Sequence, residues 1–170
     1  MFLKDWECIK SLKLKLMTKI LAVIPVKMNS KRLKKKNIKN LCGHPMFIWT
    51  YAAAVKCKYF SKVIISSESQ KILKIAKNYG YNEKYIRPKN LTKDKFTNSD
   101  VVEDVIKNQS KLGYNYNHVI LLQPTSPIKK KNMLNDFIKS YLKSKCYSGL
   151  SLKGPKFKKY DFLGQLKNYK

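Results

Sequence analysis

Ile20-Leu21-Ala22-Val23-Ile24-Pro25, six apolar residues in unbroken succession, leads directly into Val26-Lys27-Met28-Asn29-Ser30-Lys31-Arg32-Leu33-Lys34-Lys35-Lys36-Asn37, where basic and small polar groups predominate. A continuous apolar run of this length has no polar face to give to water. It therefore predicts a strand covered on both sides, as in a parallel sheet flanked by helices. In such sheets ligands sit beyond the carboxyl ends of the strands. The basic segment after Pro25 is the first place to look for a binding site.

The same alternation continues toward the C-terminus. Pro45 suits the first turn of a helix, and Ile48, Tyr51, Ala52 and Val55 recur at helical spacing. Val63–Ser66 predicts a second buried strand. Ile72, Ile75, Ala76 and Tyr79 form another helical stripe, which Gly80 closes. Arg87–Asn98 holds Pro88 and lacks apolar periodicity, so a loop is expected. Asp100 with Glu103 has the spacing of a capping box ahead of Val101, Val102, Val105 and Ile106. His118–Leu122 predicts a third strand, Lys131–Lys143 a helix, and Cys146–Leu152 a weaker strand. Strands separated by helices imply crossover units and a mostly parallel α/β sheet. The loops at 26–40, 66–69, 87–98 and 123–127 should then gather at one edge.

Composition narrows the class. The 170 residues suit about one domain, and 44% hydrophobic content excludes a wholly disordered basic tail. No apolar run approaches the roughly 20 residues of a membrane-spanning helix, so no membrane role is expected. The 37 basic residues against 10 acidic ones give a net charge of +27. Such a charge invites a nucleic-acid reading. Yet only Arg32 and Arg87 are arginine, the residue whose planar fork best grips phosphate. The lysines accompany abundant Asn, Ile and Tyr, all residues with A/T-rich codons, so codon bias explains the charge and nucleic acid is not the expected partner. Cys8, Cys42, Cys57 and Cys146 are scattered, with only His44 and His118 as further ligands. That pattern suits neither zinc nor a disulfide framework and fits a reducing cytosol. His44, His118 and Cys57 are expected to be ordinary surface or packing residues. Neither a G-x-G-x-x-G fingerprint, a complete P-loop nor a G-x-S-x-G elbow occurs.

Taken together, Ile20–Asn40, Leu41-Cys42-Gly43-His44-Pro45, Val63-Ile64-Ile65-Ser66-Ser67-Glu68, Arg87-Pro88 with Asp94 and Asp100, and Leu121-Leu122-Gln123-Pro124-Thr125-Ser126-Pro127 closely resemble the acylneuraminate cytidylyltransferases, or CMP-sialic acid synthetases. The motifs come in the family's order and near its spacing across about residues 19–152. The resemblance implies a Rossmann-like three-layer α/β fold, that of the nucleotide-diphospho-sugar transferases. It also implies the joining of CTP to a nonulosonic (sialic-type) acid sugar, with Mg²⁺ and release of pyrophosphate, in the cytoplasm, toward lipopolysaccharide or capsule. By the same resemblance Lys27 stands where the family has an arginine on the nucleotide. Asn29, Ser30, Lys31 and Lys36 would lie at the phosphates, and Asn37, Arg87 and Gln123 would hold nucleotide or ribose groups. Asn98 would line the same pocket.

Four departures accompany the resemblance. Lys27 exchanges a bidentate fork for a point charge, which costs about 1–3 kcal/mol in a closed site. Met28 and Asn29 occupy positions often both glycine, Lys34 replaces a usual proline, and Glu68 replaces an aspartate. The family also implies a C-terminal part with the Mg²⁺-binding aspartates, a catalytic arginine, much of the sugar pocket and a homodimerisation segment. None of these is recognisable in 153–170, a basic tail, so no catalytic residue and no metal ligand is assigned and this chain alone is expected to be inactive. Residues 17–152 are expected to form the nucleotide-binding domain, with Met17 as the natural start and 1–16 an extension. The alternatives are a basic RNA- or DNA-binding module using Lys31–Lys39 and Lys129–Lys131, or a non-catalytic remnant of the synthetase.

Overall fold

The computed structural model describes residues 18–30, 33–144 and 148–149, which fall into two compact units dividing between Lys129 and Lys130. In chain order the elements are β1 (Ile20–Pro25), β2 (Asn40–Leu41), β3 (His44–Pro45), α1 (Met46–Val55), β4 (Phe60–Ser66), α2 (Gln70–Lys77), α3 (Asn98–Lys111), β5 (His118–Leu121) and α4 (Met133–Ser144). Short 3-10 turns form at Lys36–Ile38 and Lys89–Thr92. The second unit contributes α4, whose Leu134 and Ile138 are buried.

In the first unit β1 is the central strand of a parallel sheet ordered β4-β1-β5. Val23 is in register with Ile64 on one side and Leu121 on the other. Both faces of β1 are closed. Leu21 and Val23 join Ile64, Tyr85 and Val105 in one core cluster, against which Val102, Tyr116 and Val119 pack. Successive strand residues face opposite ways, so Ala22 and Ile24 point to the other face, and they too are inaccessible to water. α3 lies against β1 and β4, as does α1. The alternation of buried strands and helices expected from the sequence is thus the architecture found.

Several boundaries differ from expectation. β4 begins at Phe60, three residues early, because its first half, with the exposed Ser61 and the partly buried Lys62, lacks the continuous apolar run that marks Val63–Ile65. α1 buries Phe47, Ile48, Thr50, Tyr51 and Ala54, while Val55 is 58% exposed; the stripe ends on Ala54. β5 stops at Leu121, and Leu122 instead donates its N–H to the Val23 carbonyl (2.9 Å) as the chain turns away. The capping box at α3 is one turn earlier than predicted. Thr97 is the N-cap, its hydroxyl accepts from the Asp100 N–H, and the Asp100 carboxylate accepts from the Thr97 N–H (2.6 Å). Glu103 instead pairs with Lys107 on the exposed face. The 87–98 loop carries the second 3-10 turn. The weak strand expected at 146–152 lies almost wholly outside the described residues, as do 1–16 and 153–170.

The hairpin of β2 and β3 turns on Cys42 (φ 49°) and Gly43 (φ 85°). Positive φ at both central residues is the two-residue turn whose twist matches that of the strands. The Asn40 side chain accepts from the Gly43 N–H, and Trp49 Nε1 donates to the Leu41 carbonyl, fixing the hairpin to α1. The hairpin thereby sets where the long loop after β1 must end.

Candidate functional site: a cationic cleft at the strand ends

Four loops meet beyond the carboxyl ends of β1, β4 and β5, and specific hydrogen bonds hold the first three of them together. Asn37, buried in the first 3-10 turn, donates from Nδ2 to the Lys27 carbonyl (2.8 Å), folding the first loop back on its own start. Lys27 Nζ crosses to the Thr92 carbonyl (3.1 Å). The Met28 N–H donates to Glu68 Oε1 (2.9 Å), and the Arg87 N–H to the Ser67 carbonyl (2.9 Å). Glu68, longer by one methylene than the aspartate expected there, spans from the β4–α2 loop to the backbone of the first loop. Neither Met28 nor Asn29 takes a positive φ, so this loop path does not require the glycines that the resemblance would put there.

The loops enclose a cleft. Lys27, Ser30, Lys36 and Asn37 line it from the first loop, Arg87 and Asn98 from the segment leading into α3, and Gln123 from the loop after β5. Seven of the nine residues singled out from sequence are therefore neighbours in space. Asn29 is exposed and is not among the lining residues. Lys31 lies outside the described residues. Pro25, Leu91, Phe96, Thr97, Val101, Pro124 and Thr125 complete the lining and were given no binding role from the sequence. Thr97 is not marked as a cap in the sequence, where the capping box is expected at Asp100 and Glu103. Pro124 and Thr125 belong to the Leu121–Pro127 motif, and Val101 to the apolar stripe of α3. Leu91 and Phe96 are apolar residues in a loop without periodicity, and nothing local marks them.

Arg87 is the most unusual lining group. It is 1% exposed, the largest fully buried side chain among the described residues. Nε donates to Ser66 Oγ (2.9 Å) and Nη2 to the Ser66 carbonyl, but Nη1 is buried without any hydrogen-bond partner. Burial pushes the guanidinium pKa down, and the negative or polar groups of Glu68, Tyr85 and Asp104 act against that shift. A buried N–H of a cation left unpaired costs more than the average hydrogen bond returns. Such a donor calls for an acceptor brought by a ligand, and an anionic oxygen or a carbonyl would meet it. Glu68 Oε2 is likewise buried and unpartnered, although Oε1 is engaged.

Lys27 and Lys36 add positive charge to the same walls, and Thr97 and Asn98 place the N-terminal end of the fourteen-residue α3 there. The cleft suits a ligand with several negative oxygens. Among the described residues no three His, Cys, Asp or Glu side chains come together to hold a metal ion. Cys57 is buried, which pushes its thiol pKa up. His44 is exposed, within 3.0 Å of the Tyr79 hydroxyl and edge-on to Trp49. Both lie away from the cleft lining, as expected of packing and surface residues.

A parallel α/β sheet with a cationic cleft at its strand ends is a Rossmann-like architecture, whose ligands sit beyond the carboxyl ends of the strands. The sequence matches the cytidylyltransferase family over residues 21–161, and the chain belongs to that family. It is 29% identical over 126 residues, 74% of this chain and 54% of the relative, to the pseudaminic acid cytidylyltransferase of Campylobacter jejuni. It is 34% identical to the CMP-N,N'-diacetyllegionaminic acid synthase of Legionella pneumophila, over 66% of this chain and 48% of that protein. The N-acylneuraminate cytidylyltransferase of Escherichia coli is 33% identical over 73% of this chain and 28% of its own length. Among solved structures, a CMP-2-keto-3-deoxy-manno-octonic acid synthetase complexed with CTP superposes with a TM-score of 0.62 at 17% identity, covering 74% of this chain and 48% of that one. This last likeness shows the shared fold. The chain spans about half the length of the first curated relatives it matches. No helix among the described residues is long and apolar enough to cross a membrane.

Proposed function

We propose that this chain binds CTP in the cleft at the ends of β1, β4 and β5 and supplies the nucleotide side of a reaction that activates a nonulosonic acid. The products would be the CMP-sugar and pyrophosphate. The single observation that carries this reading is Arg87, whose buried Nη1 is unpartnered in a cleft also lined by Lys27, Ser30 and Lys36. A nucleoside triphosphate offers several anionic oxygens and a base carbonyl in one ligand, and cations held in place by the protein favour it before any chemistry begins. Family membership favours cytidine among the nucleosides. The relatives' names, which refer to pseudaminic, legionaminic and acylneuraminic acids, support the sugar class.

The reaction proposed is attack of the sugar's anomeric hydroxyl on the α-phosphorus of CTP. Its barrier falls mainly through positioning and charge neutralisation. In this reading Lys27, Ser30, Lys31 and Lys36 neutralise and hold the phosphates, and Asn37, Arg87, Asn98 and Gln123 orient the nucleoside. Mg²⁺, the cofactor of the proposed reaction, would add Lewis-acid stabilisation of the phosphate charge; the described residues themselves supply binding and orientation. As in the family resemblance, the working assembly is proposed to be a homodimer. Calorimetry with the 170-residue chain tests the nucleotide assignment. CTP is expected to bind at least about tenfold more tightly than ATP, a difference of about 1.4 kcal/mol. Equal affinity for the two, or binding of neither, overturns it.

A further inference from the structure

Arg87 does not stand alone. Its Nε donates to Ser66 Oγ (2.9 Å), the Ser66 hydroxyl reaches the Tyr85 hydroxyl (3.4 Å), and the Tyr85 hydroxyl donates to Asp104 Oδ2. The chain of contacts runs from the cleft, through the end of β4 and the loop after α2, to the inner side of α3. Ser66 is fully buried and Tyr85 nearly so. We propose that Tyr85 and Asp104 are positioning residues of the cleft, forming with Ser66 a directional relay that commits one edge of the Arg87 guanidinium to the protein and keeps Nη1 for a nucleotide. This inference rests on the nucleotide-binding reading of the cleft.

The direction follows from proton counting. An ionised carboxylate only accepts, so Asp104 obliges the Tyr85 hydroxyl to donate to it. With its one proton spent, the Tyr85 oxygen is left to accept, and Ser66 donates its own proton there. Ser66 Oγ then presents lone pairs to Arg87 Nε. Each hydroxyl spends its proton toward Asp104, and the far end of the relay becomes an acceptor aimed at a cation. Burial, together with Asp104, pushes the Tyr85 pKa up, so the phenol keeps its proton at neutral pH. The Ser66 carbonyl, which accepts from Nη2, also accepts from the Val26 N–H (2.8 Å). The same residue therefore ties the arginine to the start of the first loop.

A purely structural role for Tyr85 is the rival explanation, since its ring belongs to the core cluster. Tyr85→Phe keeps the ring and removes only the relay. The chain has two arginines, Arg32 and Arg87, so the ¹⁵N spectrum of arginine Nε–H groups holds two signals, and Arg87→Lys identifies that of Arg87. In the ligand-free wild-type chain the Arg87 Nε–H is expected to exchange slowly with water, and Tyr85→Phe is expected to speed exchange by about tenfold. Tyr85→Phe should also weaken CTP binding about 3- to 10-fold, the equivalent of one lost hydrogen bond. In an Arg87→Lys background the same substitution should change CTP affinity by less than about twofold, because the relay then has no guanidinium to hold. Asp104→Leu removes the terminal acceptor and should speed exchange as Tyr85→Phe does, and wild-type exchange in Asp104→Leu overturns its part in the relay. Unchanged Nε–H exchange in Tyr85→Phe overturns the relay, and so does an affinity loss of the same size in the Arg87→Lys background. If the wild-type chain fails to bind CTP while Tyr85→Phe still speeds the exchange, the nucleotide reading falls and the relay stands as a device for another acceptor.

Discussion

Replacing Arg87 by Met separates what this residue does for folding from what it does for binding. In the folded chain the guanidinium makes two hydrogen bonds to Ser66 and leaves Nη1 unpaired. Hydrogen bonds to a charged group are worth about 1.5–3 kcal/mol each, which sets the gain at roughly 3–6 kcal/mol. Against this stands the burial of a cation without a salt bridge, whose effective desolvation cost is still several kcal/mol. The two nearly cancel. Met fills a similar elongated volume and leaves no partner stranded, because the Ser66 carbonyl keeps the Val26 N–H and Ser66 Oγ keeps Tyr85. Arg87→Met is therefore expected to change the free energy of unfolding by no more than about 1.5 kcal/mol in either direction. CTP affinity should fall by about 1.5–3 kcal/mol, roughly 10- to 100-fold, through loss of a charge-assisted contact. Urea denaturation and calorimetry read the two quantities on the same preparation. Destabilisation beyond about 3 kcal/mol with intact CTP binding would refute the reasoning, since the arginine would then be a structural element.

Three further outcomes follow from the fold. Ile64→Ala empties a fully buried position of the core cluster and should cost about 2–5 kcal/mol in urea denaturation. Gly43→Ala meets no atom within 4 Å of the new Cβ but must adopt φ of +85°, so thermal melts should show a loss of about 1 kcal/mol from backbone strain alone. The hydrogen bonds from the Thr97 backbone and side chain hold the Asp100 carboxyl below its ordinary value of 3.8. A depressed folded pKa contributes stability that is present above the unfolded value and lost as pH falls through the folded one. Acid melts should therefore show Thr97→Ala losing part of the wild type's stability decline below about pH 4, and parallel pH curves for the two proteins would contradict this.

The sheet is legible in the sequence chiefly because its central strand, β1, is buried on both faces. Ile20–Pro25 needs no phase information, only length and apolarity, and both of its ends fall where those two properties put them. α1 shows the opposite case. Met46 to Val55 is apolar almost all round, so periodicity carries little phase, and it points Val55 inward when Ala54 is the buried residue. The β2–β3 hairpin leaves no signal because one of its two positive-φ residues is Cys42, which is not a turn former by type. In the cleft, the first-loop residues are marked by composition and by their position after a buried strand. Arg87 and Gln123 stand out through the family resemblance and through no local pattern. Tyr85 and Asp104 are invisible in the sequence, since their role depends on a hydrogen bond between residues nineteen positions apart on different layers.

The most direct measurement is a crystal structure of this chain with CTP. The nucleotide is expected in the cleft between the first loop and Gln123, with Arg87 Nη1 within about 3 Å of one of its oxygens or its base carbonyl and with Ser66, Tyr85 and Asp104 in unaltered contact behind it. CTP bound elsewhere on the surface, or Arg87 Nη1 still without a partner when the cleft is filled, would contradict it.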